Sequence, residues 1–272
     1  MIAVRSLQEY RAMISAKKAE IGHFVKNSVQ MSSTMDQYIA EHRLFARTFR
    51  DGIIFFVDEG PFFNVYYYWD SSGELPDLRE GKPLIVEELG IEGKMEKELA
   101  EKGRRLLRSG FSLYRRNLLM ERPAALPFDP PCLPPGFRIT RAGEEELPYA
   151  LALWDRFLDP EDVPLDHRSL RDGGALALVR DGAGKVCAVY RWSTQGRRSE
   201  GRHIVTVPEH LREGLASALL AEWIRDAAGH GCETATTWVN DRNRASLALY
   251  ESCGFRNTGK YCLQFKKDEK GA

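Results

Sequence analysis

Apolar residues recur at helical spacing in the last third of the chain, between residues 215 and 228. They occupy every fourth position and the positions beside those: Leu215, Ala216, Leu219, Leu220, Trp223, Ile224, Ala227 and Ala228. This spacing predicts an amphipathic helix with one broad apolar face. A β-branched run ends at Pro208 before it, and Gly229 and Gly231 suit the end of a helix. The stretch therefore predicts a strand, a short polar turn and a helix.

The rest of the second half also alternates between strand and helix patterns. The predicted elements are a strand at Phe137–Arg141, a helix over residues 147–158, a loop or short helix over residues 159–171, a hairpin of Ala175–Arg180 with Val186–Trp192, a strand near His203–Val207, the long helix, a strand at Glu233–Val239, a helix near Arg242–Ser252 and a strand at Phe255–Lys266. Their order, β-α-α-β-β-β-α-β-α-β, predicts an α/β (α+β) domain.

The first half has its own series of patterns. Residues 5–50 have a helical pattern with mixed charge. The elements predicted after them are a hairpin of Gly52–Asp58 with Phe62–Asp70, a strand at Lys82–Leu89, a helix at Lys94–Arg108 and a strand at Gly110–Met120. The first half is therefore predicted to be a second α/β domain.

The two halves end alike. The order of helix, Gly110-Phe111 and strand returns as helix, Gly254-Phe255 and strand, 144 residues later. Internal similarity of this kind indicates two copies of one unit. Leu106 stands where the later copy has Tyr250, so the first copy would be degenerate. The alternative is an unrelated α+β domain with a chance Gly-Phe pair.

A proline-rich segment separates the halves. Six prolines lie between Glu121 and Phe137: Pro123, Pro127, Pro130, Pro131, Pro134 and Pro135. Such a segment is extended and semi-stiff, and it cannot form a helix or a central strand. The predicted organisation is a first domain over residues 1–122, a linker over 123–136 and a second domain over 137–272.

Composition narrows the class of protein. The chain has 272 residues, with 39 Lys and Arg against 39 Asp and Glu. The absence of net charge gives no support to general nucleic-acid or membrane binding. Five scattered cysteines form no C-x-x-C pair and no His-rich metal spacing, so reduced thiols and no metal are expected. The N-terminus lacks the apolar core of a signal peptide, and the predicted location is the cytoplasm.

The turn after Pro208 is suited to bind an anion. The first N–H groups of a helix lack partners within it, and the peptide dipoles add partial positive charge there. Small residues in the turn, Gly214 and Ala216, would let a phosphate approach the main chain closely. The alternative is an ordinary connection between a strand and a helix.

Two motifs together resemble the GNAT acyltransferase superfamily. Residues 205–216 match its V-x-P-x-x-(R/Q)-x-x-G-x-(G/A) loop, and residues 238–255 match its N-x-x-(A/S)-x-x-L-Y-x-x-x-G-F signature. The second match runs through Asn243, Ser246, Leu249, Tyr250, Gly254 and Phe255. Two positions depart from the family pattern. Leu211 stands where Arg or Gln is usual, with Arg212 one place later, and Thr206 replaces a valine.

The resemblance implies a GNAT fold over residues 137–267, with a mixed central sheet flanked by helices, and a tandem arrangement if the first half is a copy. It implies an N-acyltransferase that takes the acyl group from acetyl-CoA and passes it directly to a primary amine of a small molecule or protein. The residues expected to bind the donor are Val205, Thr206, Val207, Arg212, Glu213, Gly214, Leu215, Ala216, Ser217 and Asn243.

The same resemblance assigns the general acid to Tyr250, whose hydroxyl would lie near the thioester sulfur. The alternative is a tyrosine that packs its ring and bonds its hydroxyl to a carbonyl. Glu200 and His203 are candidates for the general base, since both lie at or before the strand that leads into the loop. His203 has a near-neutral reference pKa. Either side chain could instead belong to an ordinary hydrogen-bond network, and many family members use a water chain.

Two other functions remain open from the sequence. One is a catalytically silent GNAT module that binds CoA as a sensor or scaffold, which the Leu211 departure favours. The other is an aminoacyl-tRNA-dependent transferase, because tandem GNAT-like folds also serve there. Neutral net charge argues against the second of these. Self-association of the chain is left open.

Overall fold

A computed structural model describes residues 1–27, 32–94, 96–130, 132–170 and 174–269. The chain divides into two units. The first unit comprises Met1–Asn117 and Lys260–Ala272, and the second comprises Leu118–Gly259.

The elements that begin in the first unit alternate between strands and helices. They are β1 (Ile2–Ala3), α1 (Leu7–Glu20), β2 (Phe24–Lys26), α2 (Ser32–Ala40), β3 (Leu44–Phe49), β4 (Gly52–Asp58), β5 (Phe63–Asp70), β6 (Leu84–Ile91), α3 (Glu96–Arg108) and β7 (Ser112–Pro123). The last five, β4 to β7 with α3 among them, agree closely with the predicted hairpin, strands and helix.

The remaining elements begin in the second unit. They are β8 (Arg138–Ala142), α4 (Leu147–Phe157), β9 (Gly174–Arg180), β10 (Val186–Gln195), β11 (Arg198–Thr206), α5 (Leu215–Gly229), β12 (Thr234–Asn240), α6 (Arg244–Ser252) and β13 (Arg256–Lys267), with 3₁₀ turns at Glu144–Glu146, Pro160–Asp162, Leu165–Arg168 and Pro208–His210. The predicted element order is confirmed, except that two 3₁₀ turns stand in place of the second helix of that order. Of the predicted loop over residues 159–171, Arg171 lies outside the described residues.

The prediction of helix throughout residues 5–50 is wrong for two segments. β3 pairs antiparallel with β4 from Leu44↔Val57 to Phe49↔Gly52, and β2 pairs with the end of β5. In β3, Leu44 and Ala46 are buried, while Phe45 and Arg47 are less buried. This alternation of period two fits a strand, and the pairing with neighbouring strands overrides the local helical pattern.

The sheet of the first unit has the order β1-β3-β4-β5-β6, followed by the end of β13. Helices α1 and α2 contribute to a core on one face that includes Ile14, Met35 and Phe55. A second core includes Leu106 of α3 and Trp69 of β5. Helices therefore cover both faces of the sheet, as in an α/β domain.

The sheet of the second unit has the order β7-β12-β11-β10-β9-β8. Strands β8 to β11 pair antiparallel in sequence, whereas β11 and β12 are parallel. Trp154 of α4 packs in one core with Val189 and Val205. The other core contains Trp223 of α5 and Tyr250 of α6. This is the mixed sheet flanked by helices that the resemblance implies.

The observed division of the chain differs from the predicted boundaries at 1–122, 123–136 and 137–272. Residues 260–267 of β13 pair with β6 over its full length, from Lys260↔Ile91 to Lys267↔Leu84, and so join the first unit. The proline-rich segment belongs to the second unit, where Phe128 and Leu133 pack against the core. Pro131 lies outside the described residues. The segment is extended, but its apolar side chains attach it to the second unit.

The two Gly-Phe pairs have the same local geometry. Gly110 and Gly254 both have φ of 84°. The N–H of Phe111 donates to the carbonyl of Leu106, and that of Phe255 to Tyr250, each at 3.0 Å. Such a left-handed residue followed by a bond to the last helical turn is a helix C-cap that favours glycine. The repeated sequence thus forms the same helix-to-strand turn twice.

Candidate active site

A gap opens between the two parallel strands of the second unit. Pairing of β11 with β12 extends from Arg198↔Thr234 to Glu200↔Thr236. Among the described residues no strand pairs with this edge of β11 beyond Glu200. The Thr237 hydroxyl donates to the Gly201 carbonyl at 3.0 Å, and after that contact the strands part. No strand of the described chain therefore covers this edge, and the His203 carbonyl instead accepts a hydrogen bond from the Trp154 indole N–H at 2.8 Å.

A bulge in β11 accompanies the gap. On the opposite edge, Val189 pairs with Val205 and Arg191 with Arg202, so two residues of β11 face Tyr190 alone. One of the two, His203, has φ of 57°. A bulge of this kind bends a strand and redirects its side chains, and bulges occur often beside active sites.

The polar turn predicted after Pro208 connects β11 to α5. The N–H of Val207 donates to the Cys187 carbonyl at 2.9 Å, which fixes the end of β11. Arg212 and Gly214 then take positive φ values of 68° and 82°. Gly214 is the N-cap of α5 and supplies no side chain to its first N–H groups. The start of α5 therefore presents main-chain donors and a positive dipole end without a competing cap.

The residues predicted to bind the donor lie along this turn. Val205 and Val207 are buried, and the hydroxyl of Thr206 is buried without a hydrogen-bond partner among the described residues. Leu211, the departure from the family pattern, has 57% of its surface exposed and takes no part in the core. The predicted stretch from Arg212 to Ser217 forms the turn and the first residues of α5.

Asn243 caps α6. Its side-chain oxygen accepts a hydrogen bond from the N–H of Ser246 at 3.0 Å. An asparagine at this position satisfies one of the donors that the helix itself leaves open. Asn243 therefore serves as a helix cap, while its contact with CoA stays a prediction.

Tyr250 lies on α6 with its ring in the core. Its ring packs edge-on against Phe255, with centroids 5.3 Å apart. Its hydroxyl faces those of Tyr190 and Thr237, and burial raises the pKa of Tyr250. Because Thr237 also bonds Gly201 where the strands part, the Tyr250 hydroxyl lies at the base of the gap. A phenol in this position keeps its proton at neutral pH and can donate it.

Two residues that the sequence did not assign to the site shape this region. The Tyr190 hydroxyl is fully buried and has no hydrogen bond of normal geometry among the described residues. A side chain at Gly201 would overlap both that hydroxyl and the Trp223 ring. A glycine inside a strand signals close approach of another group, which makes Gly201 recognisable in the sequence. Nothing in the sequence placed Tyr190 in the site rather than in the core.

The two candidate bases lie in a polar network. Glu200 forms an ion pair with Arg202 at 2.8 Å. The ring nitrogen Nε2 of His203 lies 2.9 Å from Nδ1 of His167. Burial, and after it the neighbouring arginines led by Arg202, lower the pKa of His203 to about 3. His203 is therefore uncharged at neutral pH and is a weak base.

The first unit has a similar gap that the chain itself fills. Parallel pairing of β5 with β6 extends only from Phe63↔Leu84 to Val65↔Val86. Beyond it, β2 pairs with the same edge of β5, from Lys26↔Tyr68 to Phe24↔Asp70. Between these two pairings Asn27 donates to the Val65 carbonyl at 2.7 Å and accepts from the Tyr67 N–H at 2.9 Å.

Comparison with known proteins agrees with this geometry. The model of the Acetyltransferase (GNAT) family matches residues 141–255. An acetyltransferase of Photorhabdus laumondii is 23% identical over 130 residues, which are 46% of this chain and 90% of that protein. No helix among the described residues is long and apolar enough to cross a membrane.

Solved structures extend the likeness to the whole chain. A tandem GNAT protein from the clavulanic acid biosynthesis pathway has a TM-score of 0.63 at 11% identity, covering 100% of this chain and 98% of its own. A GCN5-related N-acetyltransferase from Kribbella flavida has a TM-score of 0.58 at 16% identity, covering 88% and 94%. The predicted tandem GNAT fold is confirmed. The part of the chain that matches the GNAT acetyltransferase family model lies within the second unit.

Proposed function

We propose that the second unit is an N-acetyltransferase that takes the acetyl group from acetyl-CoA and passes it directly to a primary amine. The observation that carries this proposal is the open gap between β11 and β12, which has the uncapped start of α5 beside it and the Tyr250 hydroxyl at its base. The first unit would have an accessory role, because β2 and Asn27 fill its own gap.

The α5 turn suits the diphosphate of CoA. Main-chain N–H groups from Arg212 to Ser217 would donate to phosphate oxygens, and the helix dipole adds attraction for negative charge. Gly214 removes a side chain from the approach. The buried Thr206 hydroxyl, without a partner among the described residues, offers one more donor beside the turn. The free edge of β11 after Glu200 would pair with the amide groups of the pantetheine arm.

Tyr250 would serve as the general acid. Transfer forms a bond between the amine nitrogen and the acetyl carbon and breaks the bond from that carbon to sulfur. The leaving thiolate then takes the Tyr250 proton, which burial holds on the phenol at neutral pH. Holding both substrates in one gap supplies a further part of the acceleration, through effective molarity.

The amine must lose a proton, and Glu200 is the candidate acceptor that lies where the two strands part. A group with a pKa of about 3 has little affinity for a proton at neutral pH. Glu200 lies at the point where β11 and β12 part, paired with Arg202. We assign proton removal to Glu200, directly or through water, with His203 holding the bulge through His167.

A silent CoA-binding module gains no support, because the relative and the family that match are named acetyltransferases. The Leu211 departure, which favoured it, affects a side chain outside the core. The proposed reaction takes place in the cytoplasm and needs no metal.

The test measures release of free CoA thiol from acetyl-CoA across a panel of primary amines, with binding of CoA followed by calorimetry. We expect activity with at least one amine, and Tyr250→Phe should reduce kcat by about a hundredfold with CoA affinity unchanged. In Tyr250→Phe the ring packing is kept and only the hydroxyl is lost. Tyr261→Phe, which also removes one tyrosine hydroxyl, serves as the matched control and should retain activity. Absence of CoA binding would refute the proposal, while binding without turnover would favour the silent module.

A further inference from the structure

A second group of polar side chains lies next to the α5 turn and has no part in the proposed transfer. Asp181 follows β9, Cys187 lies in β10, and His210 ends the 3₁₀ turn at Pro208–His210. One potential ligand atom from each of the three lies within 4.8 Å of those of the other two. Two residues of the β9–β10 hairpin and one from the segment after β11 thus converge on one point of the second unit.

We propose that Asp181, Cys187 and His210 form a binding site for a divalent transition-metal ion, and that Zn²⁺ fits it best. A carboxylate oxygen, a thiolate and an imidazole nitrogen are the donors that Zn²⁺ takes in proteins. Ca²⁺ and Mg²⁺ take oxygen ligands, so the thiol argues against both. In a tetrahedral zinc site the ligand atoms lie about 3.3 to 3.8 Å apart. Side-chain rotations that move the ligand atoms by about 1 Å would therefore bring all three into contact with one ion.

Two of the ligands are already held in place. Nδ1 of His210 lies 3.0 Å from the Glu213 carboxylate, which leaves Nε2 for the metal. A carboxylate on the far nitrogen orients a histidine ligand and increases its basicity. One oxygen of Asp181 accepts from the N–H groups of Ala183 and Lys185, both at 2.9 Å. The other oxygen of this carboxylate remains for the ion.

The charges around Cys187 also suit a cation. The Cys187 thiol donates to the Lys185 carbonyl at 3.4 Å. A bound Zn²⁺ would neutralise the thiolate and Asp181 together, and the thiol proton would pass to solvent. A water molecule would complete the four ligands.

The ion would join the β9–β10 hairpin to the segment that leads into the α5 turn. Asp181 and Cys187 belong to the β9–β10 hairpin, and His210 belongs to the segment that leads into Gly214. The N–H of Val207 already bonds the Cys187 carbonyl at 2.9 Å. A metal at this point would fix the approach to α5 more firmly, and it would act without touching Tyr250.

The test uses the full chain, stripped of metal and then titrated with Zn²⁺ in competition with a chromophoric chelator. We expect one equivalent to bind. Co²⁺ in its place should give the absorption of a tetrahedral site together with a thiolate-to-cobalt charge-transfer band. Cys187→Ala should remove that band, and His210→Ala should weaken Zn²⁺ binding about tenfold or more.

Two matched controls lie outside the site. Cys232 is a buried thiol, and His230 is a histidine held by Asp226. Cys232→Ala and His230→Ala should bind Zn²⁺ as the wild type does. His210 is partly exposed, so His210→Ala and Glu213→Gln carry the test if Cys187→Ala does not fold. Equal Zn²⁺ affinity in the wild type and in these site variants, or a cobalt spectrum without the charge-transfer band, would overturn the proposal.

Discussion

Both units contain a gap between two parallel strands, but only the first unit fills it with its own chain. In each, two parallel strands pair over three residues and then separate, β5 from β6 and β11 from β12. In the first unit, β2 adds a strand to the free edge of β5, and Asn27 bonds the backbone between the two pairings. In the second unit a single side-chain bond from Thr237 closes the start of the gap.

The difference shows what a binding gap requires. Buried backbone groups must find partners, so a gap between strands is stable only if the chain, water or a ligand satisfies them. The first unit satisfies these groups with its own chain, through β2 and Asn27. It also lacks a helix between β5 and β6, and Leu106 takes the place of Tyr250. The second unit leaves the edge open beside an uncapped helix.

The largest expected effect on stability comes from the close approach of Tyr190 to β11. Gly201→Ala would place a methyl group inside the space of the Tyr190 hydroxyl and the Trp223 ring. We expect a loss of about 3 kcal/mol in the free energy of unfolding. Activity should also fall, because the added methyl group displaces the strand residues where the gap begins. Urea denaturation measures the first and the acetyl-transfer assay the second.

A matched glycine makes this result interpretable. A side chain at Gly229, at the end of α5, would meet no atom within 4 Å. Gly229→Ala should therefore keep wild-type stability or gain slightly. If Gly201→Ala is as stable as Gly229→Ala, the tight packing described around Tyr190 is wrong.

The filled gap of the first unit gives the next effect. Asn27→Ala would remove two buried hydrogen bonds and leave the Val65 carbonyl and the Tyr67 N–H without these partners. The expected cost is about 2 kcal/mol of stability, with CoA affinity unchanged when measured by calorimetry. In the second unit Thr237→Val should cost less stability, because it removes one bond, yet it should lower activity. Reduced CoA affinity in Asn27→Ala would show that the first unit does take part in donor binding.

The last prediction concerns the pH dependence of stability and Glu88. Burial raises the pKa of this carboxyl from 4.5 to about 7, against the opposing effect of Lys102. In the unfolded chain the group ionises at the lower value, so folding is favoured below pH 4.5 and this contribution is lost as pH rises to 7. The slope is at most about 1.4 kcal/mol per pH unit.

Glu88→Gln removes this titration, since the amide stays neutral at every pH. Urea unfolding of wild type and variant at several values between pH 5 and 8 should therefore show a stability difference that changes with pH. A constant difference would mean that Glu88 is ionised in the folded protein throughout, held by Lys102.

Much of the second unit could be predicted from the sequence. Local patterns determine it, since the period of apolar residues predicts α5. The position of Gly254, with φ of 84°, favours glycine, and Asn is a preferred residue at the helix cap that Asn243 forms. Prediction failed for residues 5–50 and for the domain boundaries. β2, β3 and the end of β13 owe their structure to strands elsewhere in the chain, and no local pattern carries that information.

By itself, the sequence determined the order of elements, the turn after Pro208 and the tyrosine on α6, because each depends on residues near one another in the chain. Only the tertiary structure decided that β2 fills one gap while the other stays open, since pairing between distant strands is a choice of the folded state. It also brought Asp181, Cys187 and His210 together. Side chains from separate elements meet only when the packed core fixes the distances between them.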